Sequence, residues 1–376
     1  MNPCISNVLI IGGGFSGMSA AIELEKKNIA VDLVEIDPNW RAEGAGISLG
    51  GATIRAFQQL GILEEFLAKG SAHEGLDIYA PHGLHLAHIP TPLMANANIP
   101  KAGAIMRPAL AQILANKTKQ TNANVRLGCT FSSIEQDENG ATVTFTDGTT
   151  KTYDLIIGAD GLYSKVRQVT FPEAEKPKFV GQGVWRAVLP RLEGIDNTVM
   201  WVGEHIKVGV NPMSKNEMYM FVTEDKIENN YIEPKDFLPL LKALVAKFPA
   251  PVVQEIHAHL NENSKIDYRP LEGLLVKEAW HKNRIVLIGD AVHATTPHLA
   301  SGACIGIEDA IVLADELTKH AQLEHALSAF KERRWERCKL VVENSGRLAQ
   351  IEIEGGDKAE HSAIMRDSHI ALAKAI

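Results

Sequence analysis

Three glycines near the start of the chain have the spacing needed to hold a phosphate group. Gly12, Gly14 and Gly17 form a G-x-G-x-x-G pattern, with Phe15 and Ser16 between the last two glycines. The first glycine of such a loop permits a tight turn, the second lets the backbone approach a pyrophosphate, and the third allows close helix–strand packing. The helix N-terminus then directs its N–H groups at the anion. We therefore predict a pyrophosphate site formed by these five residues.

An acidic residue follows at the distance expected for a ribose contact. Glu35 lies 18 residues after Gly17, at the end of the apolar run AVDLVE, and Ile36 comes next. A carboxylate there accepts hydrogen bonds from a ribose diol and disfavours a 2′-phosphate, because two anions would repel each other. The pattern therefore predicts a dinucleotide site that includes Glu35 and Ile36, rather than a glycine turn without a ligand.

A βαβ unit is needed to position these residues. The apolar run 7–12 predicts a buried strand, and the residues after Gly14 place Met18, Ala21, Ile22 and Leu24 on one face of a helix. Residues 30–35 then predict a second strand, parallel to the first, with a right-handed crossover.

Two later segments carry further motifs. Residues 154–167 contain D-G-x-x-S-x-x-R, with Asp160 and Gly161 as its first two positions. Residues 284–317 contain G-D-A-x-H-x-x-x-P, which begins at Gly289 and Asp290 and ends at Pro297. At these residues the chain resembles the single-component FAD-dependent aromatic-ring hydroxylases, such as the salicylate, 4-hydroxybenzoate and urate hydroxylases.

The resemblance implies a role for each segment. The 154–167 segment, largely architectural, would lie between the flavin and the passing nicotinamide nucleotide, and Asp290 would hold the ribityl chain. Pro297 and the backbone of Ser301, Gly302 and Ala303 would flank the isoalloxazine. The helix 303–317 would direct its N-terminus at the flavin N1–C2=O edge, where reduced flavin is anionic.

The same segment departs from the family's P-x-x-G-x-G-x-N pattern at two positions. Ala300 replaces the first glycine and Cys304 the asparagine, which leaves open whether Cys304 touches the flavin. His293 is expected to be structural rather than a general base. Asp309, a turn and a half into the predicted helix, is expected to lie beyond the reach of the flavin.

Two smaller matches support the same family. The segment WRAEGAGI resembles one in which an arginine and a glycine loop contact FAD, which implies contacts from Arg41 and Gly46. The segment MRPAL resembles a helix start whose arginine faces the cofactor, which implies the same for Arg107.

The resemblance also implies a reaction. One dinucleotide fingerprint, occupied by non-covalent FAD, leaves NADH or NADPH to bind transiently as co-substrate. Reduced FAD would react with O2 to form a C4a-hydroperoxide, which hydroxylates a small aromatic or heterocyclic substrate. Lys207 and Tyr219 resemble the arginine–tyrosine pair of urate-hydroxylating relatives, so we predict that they contact the substrate. Lysine lacks the bidentate fork of arginine, which argues against urate itself.

The fold class predicted is α/β, with a Rossmann-like FAD-binding domain and an inserted β-rich substrate domain, as in the aromatic hydroxylases. The alternating pattern of residues 176–223 predicts a mainly antiparallel sheet. The predicted division runs as follows: FAD-binding domain in residues 1–75, 100–175 and 276–350, substrate domain in 76–99 and 176–275, and a C-terminal helix in 351–376.

Composition limits the possible partners. Of the 376 residues, 45% are hydrophobic and 22% charged, as in ordinary globular proteins. The net charge of −8 gives no overall attraction for nucleic acid or anionic lipid, so we expect no nucleic-acid binding and no stable membrane association. Four scattered cysteines predict neither a metal site nor a disulfide scaffold, and the N-terminus lacks a signal-peptide pattern. A cytoplasmic monomer or homodimer is predicted.

Two other functions remain open. One is a different FAD-dependent reaction on the same fold, such as that of a quinone-type hydroxylase or epoxidase; the halogenase pattern W-x-W-x-I-P is absent. The other is a non-catalytic flavin-binding protein, against which the intact cofactor motifs argue.

Overall fold

The structure is a computed structural model that describes residues 4–94 and 98–376. The strands of the described chain are β1 (Asn7–Ile11), β2 (Ala30–Glu35), β3 (Gly46–Gly50), β4 (Ser71–His73), β5 (Leu76–Tyr79), β6 (His85–Ile89), β7 (Ala102–Met106), β8 (Asn124–Leu127), β9 (Phe131–Gln136), β10 (Ala141–Phe145), β11 (Thr150–Tyr153), β12 (Leu155–Gly158), β13 (Lys178–Pro190), β14 (Thr198–Val202), β15 (Ile206–Pro212), β16 (Glu217–Asp225), β17 (Ile266–Gly273), β18 (His281–Lys282) and β19 (Ile285–Leu287).

The helices are α1 (Phe15–Lys26), α2 (Gly51–Leu60), α3 (Leu63–Lys69), α4 (Arg107–Lys119), α5 (Lys165–Thr170), α6 (Phe237–Val245), α7 (Pro251–His259), α8 (Asp290–His293), α9 (Gly302–Lys319), α10 (Leu323–Glu354) and α11 (Lys358–Ala373). Two short 3-10 helices lie at Pro234–Asp236 and Pro297–Leu299.

The glycine loop lies at the carboxyl end of a six-stranded sheet with the order β18-β19-β12-β1-β2-β8. All neighbouring strands of this sheet are parallel except β18 and β19. The chain leaves β1 toward β2 on one side, while β12 lies on the other, so a crevice opens at this end. The buried apolar runs of β1, β2 and β12 are typical of a parallel sheet covered on both faces.

A second sheet has seven strands in the order β17-β13-β16-β15-β14-β5-β6. Its pairs are antiparallel apart from β14 and β5. One face packs on α6 and α7 around Trp185 and Phe248, which are almost fully buried. The other face turns toward a smaller sheet, β3-β7-β4, where Tyr219 packs against Ala45 and Ala104. The predicted fold class is confirmed, whereas the residue boundaries of the domains remain a prediction.

The C-terminal part differs in detail from the prediction. The resemblance implied a helix over 303–317, and α9 spans Gly302–Lys319 before the chain turns at residues 320–322. Both α9 and α10 bury apolar faces in the same core. The C-terminal helix predicted for 351–376 begins later in the structure. The helix α10 continues to Glu354 and ends at Gly355 with φ +59°, and Asp357 caps α11 by accepting from the N–H of Ala359.

Within the described ranges, no helix combines the length and the apolar character needed to cross a bilayer.

Candidate functional site

The glycine loop presents bare backbone at the end of β1. Gly12 has φ +108°, and a Cβ there would lie 2.4 Å from the carbonyl oxygen of Ala159. A Cβ on Gly17 would lie 1.9 Å from the carbonyl oxygen of Gly12, so both positions require glycine for packing. Gly14 is different, because it has an ordinary φ of −73° and its Cβ would meet no described heavy atom within 4 Å.

The N-terminus of α1 follows this loop and can accept an anion. No described side chain caps it, and its first turn holds no acidic residue. The first N–H groups of a helix lack partners within the helix and carry its positive dipole end. The uncapped terminus beside Gly14 therefore fits a pyrophosphate.

Glu35 reaches the same loop from the end of β2. Its Oε2 accepts from the N–H of Gly13 at 2.7 Å, and its Oε1 accepts from the N–H of Asp37 at 2.8 Å. A carboxylate has about four acceptor positions, so two remain for a ribose diol. The neighbouring Trp40 donates its Nε1–H to the carbonyl of Gly13 at 2.8 Å, which holds the loop from the other side.

The three predicted cofactor segments meet in the fold. Gly12 packs on the backbone of Ala159 and Asp160, which connects the first segment to the second. A Cβ on Gly289, which has φ +60°, would lie 2.3 Å from the Oγ of Ser16, so glycine lets the third segment approach α1. Contact between segments that are separated by more than 100 residues is a property of the parallel sheet, whose strand ends lie at one edge.

The second segment is architectural, as the resemblance implied. The carboxylate of Asp160 accepts from the Oγ of Ser164 at 2.5 Å and from the N–H groups of Lys165 and Val166, which begin α5. Arg167 donates to the carbonyl of Ala291 at 2.7 Å and thereby connects this segment to the third. Gly161, at φ +80°, lies in the turn that connects β12 to α5.

Asp290 begins α8 and Arg107 begins α4, and both residues are exposed. The protein atoms around Asp290 raise the pKa of its carboxyl above its usual value, although the nearby His293 and Arg107 oppose the shift. The guanidinium of Arg107 lies 5.0 Å from the ring centre of Phe15, in a cation–π contact. Within the described chain, the carboxylate of Asp290 makes no hydrogen bond, so its oxygens remain available to ligand hydroxyls.

A second uncapped helix N-terminus, that of α9, faces the same region. Ser301 precedes α9, but its hydroxyl donates to the carbonyl of Leu299 at 2.7 Å and no described side chain caps the helix. Gly302 and Ala303 begin its first turn, after the 3-10 helix that starts at Pro297. Ala300 adopts a left-handed conformation with φ +49°, at the position where the family pattern has glycine.

For three other predicted cofactor residues, the structure gives no direct indication of a contact with the cofactor. Arg41 is exposed and pairs with Asp37 at 3.1 Å, and the Ile36 side chain is 65% exposed. Gly46 begins β3, where a Cβ would lie 2.5 Å from the Cβ of Tyr219. Contacts from these residues to the cofactor remain predictions.

Asp309 belongs to a buried ion network. The sequence predicted only that Asp309 lies beyond the reach of the flavin, and it did not predict this network. It is fully buried, and its Oδ2 accepts from the N–H of Gly289 at 2.9 Å and from the Nε2 of His293 at 2.5 Å. Its Oδ1 accepts from the Nε of Arg334 at 2.8 Å. Burial opposes the charged imidazolium, but the Asp309 carboxylate outweighs it and holds the pKa of His293 well above its usual value. His293 is therefore structural, as predicted, and Asp309 positions the segment that carries Asp290.

A cavity of about 200 Å³ lies between the seven-stranded sheet and the start of α9. Most of its surface is apolar, with contributions from Leu49, Met94, Val184, Met200, Phe221 and Leu372. Pro297, Ala300, Ser301 and Cys304 form one side, and Met365, His369 and Leu372 of α11 another. Burial raises the pKa of the Cys304 thiol, so it lines the cavity as a neutral group.

Lys207 and Tyr219, the two predicted substrate residues, both line this cavity. The hydroxyl oxygen of Tyr219 accepts from the Nε of Arg186 at 3.1 Å, which leaves the phenolic proton free to donate. Lys207 forms an ion pair with Glu352 at 2.5 Å. Substrate contact by either residue remains a prediction.

The sequence did not predict a chain of hydrogen-bonded polar side chains on the cavity wall. Asn211 donates its Nδ2 to Ser48 Oγ at 3.0 Å and accepts from the hydroxyl of Thr198. Since that hydroxyl donates to Asn211, the Nε2 of His73, 2.9 Å away, must donate to it. Burial lowers the pKa of His73 to about 4, so its Nδ1, which has no partner among the described residues, is a neutral acceptor. No spacing pattern connects these four residues, which come from four separate segments.

Comparison with known proteins gives the same assignment as the geometry. The sequence model of the FAD-binding domain family matches residues 6–345. The aurachin C monooxygenase/isomerase of Stigmatella aurantiaca is 31% identical over 347 residues, which cover 92% of this chain and 89% of that protein. The 2-heptyl-3-hydroxy-4(1H)-quinolone synthase of Pseudomonas aeruginosa is 31% identical over 356 residues, with coverage of 92% and 90%.

A solved structure supports the fold. Klebsiella pneumoniae HpxO, complexed with FAD and uric acid, matches with a TM-score of 0.83 and 23% identity over 98% of this chain and 92% of that one. The glycine loop, the two uncapped helix termini and the family match agree with one another. The chain belongs to the FAD-binding domain family and is an FAD-dependent monooxygenase of the aromatic hydroxylase type.

Proposed function

We propose that this protein inserts one oxygen atom of O2 into a small aromatic or heterocyclic ring, with NADH or NADPH as a transient reductant of FAD. One observation carries the proposal: the apolar cavity borders Pro297, Ser301 and the start of α9, the segment assigned to the flavin ring. A ring compound in this cavity would therefore lie beside the redox cofactor. The names of the relatives support a ring substrate, since they include a 2-heptyl-3-hydroxy-4(1H)-quinolone synthase and an FAD-dependent urate hydroxylase.

The residues of the cleft fit FAD. We propose that the N-terminus of α1 holds the pyrophosphate, that Glu35 holds the adenosine ribose, and that Asp290 holds the ribityl hydroxyls. When bound, FAD supplies the two-electron redox chemistry between the nicotinamide and O2. The uncapped N-terminus of α9 would stabilise negative charge on the reduced ring.

The chain itself must bind the substrate, orient it and exclude water. The apolar lining displaces water from the ring, which strengthens the few polar contacts that remain. Tyr219 offers a hydroxyl donor, and His73 Nδ1 offers an acceptor for a substrate O–H or N–H. Lys207 lies on the same lining as half of an ion pair. Such sparse polar groups in an apolar cavity fix orientation.

The experiment that tests the function begins with the purified protein. Heat denaturation should release FAD and not FMN, because the Glu35 site recognises an adenosine ribose. A panel of small aromatic and heterocyclic compounds should then be screened for stimulated NAD(P)H consumption in air and for an oxygenated product. Retention of FAD without any NAD(P)H oxidation would favour the non-catalytic alternative. A colourless protein that stays empty after incubation with FAD would contradict the cofactor site itself.

We expect substrate to accelerate the reduction of FAD by NAD(P)H. The described chain has one glycine-loop fingerprint, so the nicotinamide has no nucleotide domain of its own and must meet the flavin through a shared opening. Anaerobic stopped-flow reduction, with and without a verified substrate, measures the effect. Equal rates would rule out substrate-gated reduction while leaving the FAD site and the fold intact.

Asp290→Ala is expected to weaken FAD binding by ten- to a hundredfold. Loss of charge-assisted hydrogen bonds to the ribityl chain should cost roughly 1.5–3 kcal/mol. Fluorimetric titration of the FAD-free protein with FAD gives the dissociation constant. Asp315→Ala is the control, because Asp315 lies on α9 and pairs with Lys27 at 3.1 Å, outside the cleft. Equal affinities in the two variants would mean that Asp290 does not hold the cofactor.

A further inference from the structure

The charge of the substrate cavity rests on a single ion pair. Of the described residues that line the cavity, Lys207 alone carries a formal charge at pH 7. Its Nζ lies 2.5 Å from Glu352 Oε1, and the two side chains are 13% and 19% exposed. An unpaired ammonium group in an apolar cavity would attract an anionic substrate. Here the ammonium group of Lys207 is already paired with the carboxylate of Glu352.

Other groups hold Glu352 in this position. His361 Nε2 lies 3.2 Å from its Oε1, and Gln182 donates to its Oε2 at 3.4 Å. His298 Nε2 lies 3.3 Å from Oε2, within ion-pair distance but outside hydrogen-bond geometry. Burial would raise the pKa of Glu352, but Lys207 and the adjacent histidines outweigh it and hold that pKa well below its usual range. Glu352 is therefore ionised and cancels the charge of Lys207.

The histidines of the cavity add no charge. Burial lowers the pKa of His73 to about 4 and also lowers the pKa values of His298 and His369. All three are neutral at pH 7. Behind Tyr219, the guanidinium of Arg186 lies 3.7 Å from Asp267 Oδ2, so this cation is also paired.

We propose that Glu352 makes the cavity electrically neutral and thereby restricts it to uncharged ring compounds. This inference rests on the proposed function and names the substrate class for the same cavity. A bound carboxylate would have to draw Lys207 away from Glu352 and would then lie near the largely buried Glu352 charge, where like charges repel strongly. An uncharged ring meets no such cost and can bury its surface against the apolar wall.

The test compares two probes of nearly equal shape and different charge, 6-hydroxy-2-naphthamide and 6-hydroxy-2-naphthoate. Equilibrium dialysis against the FAD-loaded protein at pH 7.5 gives both dissociation constants without requiring turnover. The smaller pair 4-hydroxybenzamide and 4-hydroxybenzoate serves if the naphthyl ring does not fit. The wild-type protein should bind the amide more tightly than the carboxylate by at least about tenfold.

Glu352→Gln should shift this ratio toward the carboxylate by on the order of tenfold, because Lys207 is then an unpaired cation. Glu354→Gln is the matched control, since Glu354 lies two residues along on the same helix with its side chain 51% exposed, and should leave the ratio unchanged. The double variant Lys207→Gln/Glu352→Gln removes both charges and should keep the wild-type preference for the amide. This double variant also separates charge from folding if Glu352→Gln alone does not fold.

Several outcomes would overturn the inference. The first is that the wild-type protein binds the carboxylate as tightly as the amide. The second is that Glu352→Gln and Glu354→Gln show the same ratio of the two dissociation constants. The third is that the protein binds neither pair of probes. The proposed function is tested by two other measurements, which are the retention of FAD and the oxidation of NAD(P)H. A protein that retains FAD and oxygenates anionic rings would therefore contradict the neutral cavity and support the proposed function.

Discussion

Gly14→Val is expected to yield a folded protein that does not bind FAD. A side chain at Gly14 would meet no described atom within 4 Å, and the backbone there has φ −73°, which valine tolerates. The same side chain would project over the N-terminus of α1 into the space needed by the pyrophosphate. Far-ultraviolet circular dichroism should match the wild-type spectrum, while titration with FAD should show no saturable binding.

Two controls make this prediction specific. Gly346→Val also adds a side chain that meets no described atom within 4 Å, but on α10 and away from the glycine loop, so it should retain FAD. Gly12→Val should instead destabilise the fold, because its Cβ would lie 2.4 Å from the Ala159 carbonyl oxygen at φ +108°. If Gly14→Val binds FAD with wild-type affinity, the pyrophosphate does not lie on this loop.

Asp309→Ala is expected to lower the free energy of unfolding by about 3–5 kcal/mol, because the buried His293 loses its carboxylate partner and Arg334 keeps only Glu308. His293 and Arg334 are 0% and 1% exposed and both bond to Asp309. Urea unfolding of the FAD-free protein measures the change without the contribution of ligand binding. Asp315→Ala, on the same helix with a partly exposed carboxylate, should change stability by less than about 1 kcal/mol.

The effect of Asp309→Ala should also depend on pH. The pKa of Asp309 is lowered because His293 and Arg334 outweigh its burial, so the stabilisation is present above the unfolded value of about 3.9 and is lost as pH falls. The pKa of His293 is raised, so its stabilisation is complete below about 6.5 and is lost as pH rises through the raised value. The difference between wild type and variant should therefore be largest between about pH 4 and 6.5. A difference that does not vary with pH would show that the pair is not ionised.

The geometry of the glycine loop could be predicted from local sequence because most of its contacts are local. The turn at Gly12, the packing at Gly17 and the helix N-terminus after Gly14 depend on residues that are adjacent in the chain. Glu35 follows at the end of the next strand. The motif around Asp160 encodes its own helix start, through Ser164 and the N–H groups of Lys165 and Val166.

Long-range partners decided the roles of other residues. Asp309 lies about two turns inside α9, and nothing in its local sequence shows that it accepts from Gly289 and Arg334.

The amino-acid sequence by itself determined the fold class, the FAD-binding family and the position of the glycine loop, since each depends on short spacings and on hydrophobic periodicity. Only the tertiary structure decided the character of the apolar cavity beside α9. Lys207 and Glu352 are 145 positions apart, and His73, Thr198, Asn211 and Ser48 come from four segments. Whether a lysine is a free cation or half of a neutral pair depends on which carboxylate the folded chain brings within a few ångströms, and Coulomb interaction at that distance is not encoded in any local spacing.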